Sequence, residues 1–244
     1  MEQHAYEVMY RVEESHWWYV GRRNLILDQI AQFYGGKQGL RALDIGCGTG
    51  LFIEFLKRYG RVVGLDFSSD ALEFSRKRGC SELVRGDGAV LPFGADTFDL
   101  LTANDLIEHL DDDVAALREF LRVLKPGGRA FVFVPAFQFL WSLQDEVAHH
   151  RRRYTSEEIR LVLKKAGFQV VRVTYANALL FPVVYVGRQV LKVMRRFKEY
   201  KTENDLHPGW ANRPLTAILN LEVPILRRVG FPFGVSIIAV AQKP

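Results

Sequence analysis

The sequence predicts an α/β fold in which a mostly parallel sheet carries helices on both faces. Three observations predict it. Strand-like and helix-like patterns alternate from Arg41 onward, as they do where each strand is followed by a covering helix. A glycine-rich turn, Gly46-Cys-Gly-Thr-Gly50, joins the first strand to the first helix. The 244 residues are 48% hydrophobic and 25% charged, enough apolar material for one large core.

The elements follow in order. Arg41–Gly46 reads as a strand, Leu51–Tyr59 as a helix, Arg61–Asp66 as a strand and Ala71–Arg78 as a helix. Leu83–Asp87 is a short third strand and Phe98–Asn104 a fourth. Val114–Leu124 is a helix, and after the turn Lys125-Pro-Gly-Gly128 a fifth strand runs Arg129–Val134. Thr155-Ser-Glu-Glu158 has the spacing of a capping box, in which hydroxyl and carboxylate each satisfy an orphan amide, and the helix it opens stops at Gly167. Gln169–Tyr175 and Val235–Ala241 are the remaining strands. Residues 1–37, 138–154 and 178–233 fall outside the alternation, and no internal repeat is present.

The turn is where ligand chemistry begins. Glycines 46, 48 and 50 let the backbone pass close to a ligand that a Cβ would block. Their spacing is G-x-G-x-G rather than the G-x-G-x-x-G that seats a pyrophosphate on a helix N-terminus. Asp44, two positions before the first glycine, would repel a pyrophosphate but accepts a hydrogen bond from an ammonium. Together these features favour the methionine end of S-adenosylmethionine. Asp66 closes the second strand 20 residues after Gly46, where a carboxylate takes both ribose hydroxyls. Phe67 is placed to pack on an adenine, and Asp87 in Gly86-Asp87-Gly88 to accept from its amino group.

These residues, with Gly64-Leu-Asp66, Gly86-Asp-Gly-Ala-Val-Leu-Pro-Phe93, Ile107-Glu-His-Leu110 and Val123-Leu-Lys-Pro-Gly-Gly128, make the chain similar to class I S-adenosylmethionine-dependent methyltransferases, the type 11 group that includes ubiquinone and menaquinone methylases. The resemblance implies a Rossmann-like seven-stranded sheet with its last strand antiparallel. It also implies one domain over 1–244, made of a helical cap (1–37), a cofactor-binding core (38–137), a lid loop (138–154) and an insertion (178–233) before the last strand. S-adenosyl-L-methionine is the implied cofactor, held by Asp44, Gly46, Cys47, Gly48, Gly50, Asp66, Phe67, Asp87, Gly88 and Asn104. Gly88 departs from relatives that often carry Ala there.

Methyl transfer from a sulfonium needs an aligned acceptor and, for a hydroxyl, a proton acceptor. Asn104-Asp-Leu-Ile-Glu-His109 follows the fourth strand on the acceptor side of the crevice, and His149-His-Arg-Arg-Arg-Tyr154 precedes the capping box. Glu108, His109 and His150 are therefore the candidates for catalysis, on a small-molecule, glycan or lipid-like acceptor methylated at oxygen. No metal is required by this reading, although Asp105, Glu108 and His109 resemble the positions that hold a divalent ion in polyprenyl-hydroxyquinone O-methylases. The three arginines suit an anionic acceptor or a solvated face.

A net charge of +5 leaves a nucleic-acid methyltransferase as a rival, but no Asn/Asp-Pro-Pro-aromatic motif follows the fourth strand and neither Cys47 nor Cys80 stands in a Pro-Cys context. A second rival is a cofactor-binding protein without methyl transfer. Trp17 and Trp18 open an N-terminal helix that either closes over the cofactor or packs inward. Residues 182–201 read as a basic amphipathic helix that meets an anionic membrane or covers the protein's own core. With two cysteines, no apolar leader and no apolar run of about 20 residues, the expectation is a cytoplasmic protein.

Overall fold

A computed structural model describes residues 3–194 and 209–244. The central sheet has seven strands: β1 (Leu40–Ile45), β2 (Gly60–Asp66), β3 (Leu83–Arg85), β4 (Phe98–Asn104), β5 (Leu124–Pro135), β6 (Gln169–Ala176) and β7 (Ser236–Gln242). Their spatial order is β3-β2-β1-β4-β5-β7-β6. All pairings are parallel except those of β7 with β5 and β6, so the last strand is antiparallel as expected.

The strands are buried on both faces, and the side-chain period of two divides them between two cores. Leu43, Ile45, Leu101, Ala103, Val132 and Ile237 face one side, where α5 (Asp113–Val123) and α7 (Ser156–Lys165) add Leu117, Phe120, Ile159 and Leu163. Their neighbours Ala42, Leu100, Phe131, Phe133, Ile238 and Val240 face the other side. There α2 (Trp17–Tyr34) and α3 (Leu51–Leu56) supply Leu25, Ile26, Ile30, Ile53 and Leu56. Polar residues mark the helix starts: Ser68 accepts from the Ala71 amide before α4 (Ser69–Lys77), Asp112 from Ala115 before α5, and Thr155 pairs with Glu158 before α7.

The three segments outside the alternation are largely helical. The cap is α1 (Gln3–Val12) followed by α2. The lid expected as a loop contains a 3₁₀ turn and α6 (Leu143–Val147), and the insertion contributes α8 (Phe181–Met194) and α9 (Asn212–Leu226). Cap and insertion pack on each other through Trp17, Leu180 and Leu219. Their approach depends on Gly21, whose Cβ, if present, would lie 2.3 Å from Leu219 Cδ1.

The strand order reverses between β1 and β4, where the chain leaves the sheet in opposite senses. Such a switch point opens a crevice at the carboxyl ends of the strands.

Candidate functional site

That crevice is a cavity of about 1150 Å³. Its β1–β4 wall is built by the glycine turn. Gly46, Gly48 and Gly50 have φ of +70°, +55° and +82°, the left-handed region that a Cβ disfavours. The amides of Gly46 and Cys47 donate to Leu65 O at 2.8 and 3.0 Å, and Asp66 accepts from the amides of Gly48 and Ser68, each at 2.9 Å, so the turn is tied to the end of β2. Asp44, Gly46, Cys47, Gly48, Asp66, Phe67, Asp87, Gly88 and Asn104 all line the cavity. Gly50 does not: it starts α3 behind the turn, where an added Cβ would lie 2.8 Å from Ser75 Oγ, so its role is conformational rather than contact with a ligand.

These residues fit S-adenosylmethionine. Asp44 is only 2% exposed, accepts from Thr102 Oγ1 at 2.7 Å, and is pushed up to about 7 by burial, with Asp66 adding to the effect. A cation next to it would restore its charge. Asn104 Oδ1 is buried on the same wall with no hydrogen-bond partner, an acceptor left for a ligand's donor. Phe67 is 73% exposed, presenting its ring to the cavity as a stacking surface needs. A Cβ on Gly88 would meet Ile45 and Leu106 at 3.4 Å, ordinary contact, so the glycine widens the site without being required by the backbone. Burial holds the Cys47 thiol well above its usual pKa, which makes it packing rather than a nucleophile.

The helical cap forms the roof. Tyr6, Met9 and Glu13 of the α1 region and Trp17, Trp18 and Arg22 of α2 line the cavity, which places the tryptophan pair over the ligand space. Glu13, buried, accepts from Thr49 Oγ1 in the glycine turn and from Arg78 Nη2 at 2.8 Å.

On the acceptor side, Glu108 and His109 lie in a 3₁₀ turn after β4, and His150 follows α6. The two imidazoles stack edge to face with centroids 4.6 Å apart. Burial, then His150, hold His109 down at about 4, so it is neutral near pH 7. His109 and His150 line the cavity, whereas Glu108 does not. Glu108 is completely buried behind His150, its carboxyl raised by burial and then by Asp105, and neither oxygen bonds another residue. Among the described residues, ligand atoms of Glu108, His109 and His150 fall within 4.8 Å of one another. Asp105, expected with Glu108 and His109, stands apart from this group because its carboxylate is taken by Arg22 Nη1.

The arginine run is not a free anion grip. Arg151 pairs with Asp111, Arg152 with Asp113 at 3.2 Å and Arg153 with Asp145 at 2.8 Å. Their remaining donors reach carbonyls of His109, Leu110 and Ala136. The run is a clamp that fastens the lid to the turn after β4. Sequence reasoning missed Asp145, which is buried and central to that clamp. Its one local signal is the Ser142-x-x-Asp145 spacing of a capped helix start, at which the Ser142 amide donates to Asp145 at 2.8 Å.

The far end of the cavity is apolar, lined by Trp18, Leu180, Val184, Leu191 and Leu215 of α2, α8, α9 and their flanks. The expected helix over 182–201 is seen from Phe181 to Met194, and its remainder lies outside the described residues. Val184 and Arg188 line the cavity, while Val186 and Val190 point outward, 58% and 50% exposed.

Comparison with known proteins agrees with this geometry. A family profile described as a methyltransferase domain matches residues 43–132. Demethylmenaquinone methyltransferase from Staphylococcus aureus is 32% identical over an alignment covering 59% of this chain and 74% of that protein. Among solved structures, an S-adenosylmethionine-dependent methyltransferase from Thermotoga maritima matches with a TM-score of 0.61, at 20% identity, over 99% of this chain and 96% of the other. Phosphoethanolamine N-methyltransferase 2 from Haemonchus contortus, solved with S-adenosylmethionine, matches with a TM-score of 0.60 at 22% identity, over 91% of this chain and 52% of that one.

Proposed function

The chain belongs to the S-adenosylmethionine-dependent methyltransferase family, and on that premise we propose that it methylates a hydroxyl of a lipid-like small molecule. The cofactor, when bound, supplies an electrophilic methyl on a sulfonium. Asp44, Asn104, Asp66 and Phe67 hold and orient it, and the cap over the glycine turn keeps water from the reacting centre.

The observation that carries the acceptor class is the composition of the cavity beyond the cofactor residues. Pockets that take one drug-sized ligand span roughly 300–1,000 Å³. A cavity of about 1150 Å³ exceeds that range, and besides the cofactor residues and the His109–His150 pair its lining includes the apolar side chains of Trp18, Leu180, Val184, Leu191 and Leu215. Such a shape suits an acceptor with one polar reacting group and an apolar body. The quinone named in the Staphylococcus aureus relative has an apolar body of that kind. Arg151, Arg152 and Arg153 are each paired with an aspartate, so the arginine run adds nothing to the net charge as support for a nucleic-acid acceptor. We further propose that the outward face of α8 rests on a membrane from which such an acceptor is drawn.

The test is transfer of label from methyl-labelled S-adenosylmethionine to a panel containing reduced demethylmenaquinone, soluble catechols, oligosaccharides and transfer RNA. Label in the organic phase as a methyl ether is expected, and label in that phase carried as a methyl on a ring carbon would overturn the hydroxyl assignment. Label confined to RNA or sugar, or cofactor binding without turnover on any acceptor, would overturn the reading.

A further inference from the structure

We propose that His150 is the proton acceptor of the reaction and that Asp145 is the positioning residue that fixes which imidazole nitrogen faces the acceptor. The inference rests on the hydroxyl-methylation reading above and adds to it a specific atom and a residue that no sequence motif marked.

Asp145 is completely buried at the start of α6. Its oxygens accept from Arg153 Nε and Nη2 at 2.8 and 2.9 Å, from the Ser142 amide at 2.8 Å, and contact His150 Nδ1 at 2.8 Å. Burial alone would raise its pKa, but the His150 and Arg153 bonds outweigh burial and hold it below the usual carboxylate range. An ionised carboxylate has no hydrogen to give, so the hydrogen of the 2.8 Å bond belongs to His150 Nδ1. In neutral imidazole that leaves the lone pair on Nε2.

Nε2 lies on the other side of the ring from the Asp145 bond; the 3.9 Å to Glu108 Oε1 is too long for a hydrogen bond, so its lone pair is not taken up by that carboxyl, and the ring belongs to the cavity lining. His150 and His109 share the cavity wall between the cofactor residues and the apolar end. The 2.8 Å bond from Nδ1 to Asp145 opposes ring reversal, while the bond from the His150 amide to Asp145 O and the ion pairs of Arg151–Arg153 fix the backbone that carries the ring. The arginine clamp thus serves to present one nitrogen.

The step balances without a further reactant. The acceptor oxygen forms a bond to the methyl carbon as the carbon–sulfur bond breaks, its electron pair remaining on sulfur as a neutral thioether. The hydroxyl proton passes to His150 Nε2, and the resulting imidazolium is stabilised by the ionised Asp145. His109 stays neutral beside it.

Two measurements test the proposal. Nitrogen-15 NMR of histidine-labelled protein, with His150 assigned by His150→Gln, reads the tautomer without any acceptor. We expect Nδ1–H with unprotonated Nε2 in the wild type and loss of that preference in Asp145→Asn. An Nε2–H tautomer in the wild type, or an unchanged one in Asp145→Asn, overturns the positioning role. The second measurement uses whichever panel compound the wild type methylates at a hydroxyl. His150→Ala should lose at least 100-fold in kcat while S-adenosylmethionine Kd changes less than threefold, and added imidazole should restore part of the rate. Asp145→Asn should lose about tenfold or more in kcat at similar KM. Full wild-type kcat in His150→Ala overturns the proton-acceptor assignment. So does activity that chelation abolishes and a divalent ion restores, since the histidines would then hold an ion. A wild type that methylates no hydroxyl compound fails the functional reading instead, and the spectrum still decides the geometry of His150.

Discussion

Asp44 carries opposed demands. The folded protein without ligand holds it up at about 7, against an ordinary value of 3.8, because burial disfavours its charge. Below about pH 4 the carboxyl is protonated folded or unfolded. As pH rises toward 7 the folded state retains a proton that the unfolded chain has lost, so stability falls through that window and stays low above it. At roughly 1.4 kcal/mol per pKa unit the penalty is on the order of 4 kcal/mol. Asp44→Asn keeps an acceptor for Thr102 and removes the charge. Urea melts without ligand should show the variant more stable than wild type at pH 8 and nearly equal at pH 4, while calorimetry shows its S-adenosylmethionine binding weakened at least tenfold. An equal shift at both pH values would mean that packing, not charge, is responsible. Asp44, Asp66, Phe67 and Asp87 could be placed on the cavity from the sequence because each lies within two residues of a strand's carboxyl end, where chain direction brings it to the crevice. Asp145 was not legible, since its value comes from His150 and Arg153, brought to it by the turn after α6. Glu108 and Gly50 lie off the cavity lining, because position in a motif does not tell a wall residue from the one behind it.

At the scale of elements, α1 and the glycine turn depend on each other. Glu13 reaches from the end of the cap into the turn, bonding Thr49 Oγ1 and Arg78, and the ion pair is nearly closed to solvent, with 8% and 10% side-chain exposure. Removing one member of a buried pair strands the other, which typically costs about 3–5 kcal/mol. Arg78 also pairs with Glu14 and donates to Tyr10 O, so the loss should fall at the lower end, near 3 kcal/mol. Glu13→Ala is therefore expected to destabilise the protein in urea and to weaken S-adenosylmethionine binding, with faster amide exchange over residues 3–12 than over β1. Unchanged exchange in α1 would show that the cap is held by other contacts. The sequence foretold the sheet elements to within a few residues because their apolar runs are buried on both faces. It did not reveal α6 within residues 138–154, since a helix of five residues is too short to show a period. Nor did it show that the arginines after α6 were paired, because their partners Asp111 and Asp113 lie some 40 residues earlier.

At the scale of the whole molecule, charge and apolar surface are unevenly shared. No helix among the described residues is long and apolar enough to cross a membrane. Yet α8 turns Val186 and Val190 outward, and Phe139, Tyr185 and Phe233 add exposed rings around its start, linked through Phe181. An apolar surface of this kind marks an interaction site more often than a bare solvent face. The sequence after α8 contains Arg195, Arg196, Lys198 and Lys201. Cations near an anionic bilayer contribute about 1 kcal/mol each, a term that salt screens, whereas apolar insertion is insensitive to salt. The two contributions can therefore be separated. Wild-type protein should sediment with vesicles containing anionic phospholipid at low salt, be partly released as salt rises, and bind neutral vesicles poorly. Val186→Glu with Val190→Glu, at positions already exposed, should leave the thermal unfolding temperature within about 2 °C and reduce vesicle binding severalfold. If the double variant binds as well as wild type, α8 does not meet the bilayer. If the wild type does not bind anionic vesicles at low salt, the acceptor reaches the apolar end of the cavity from solution.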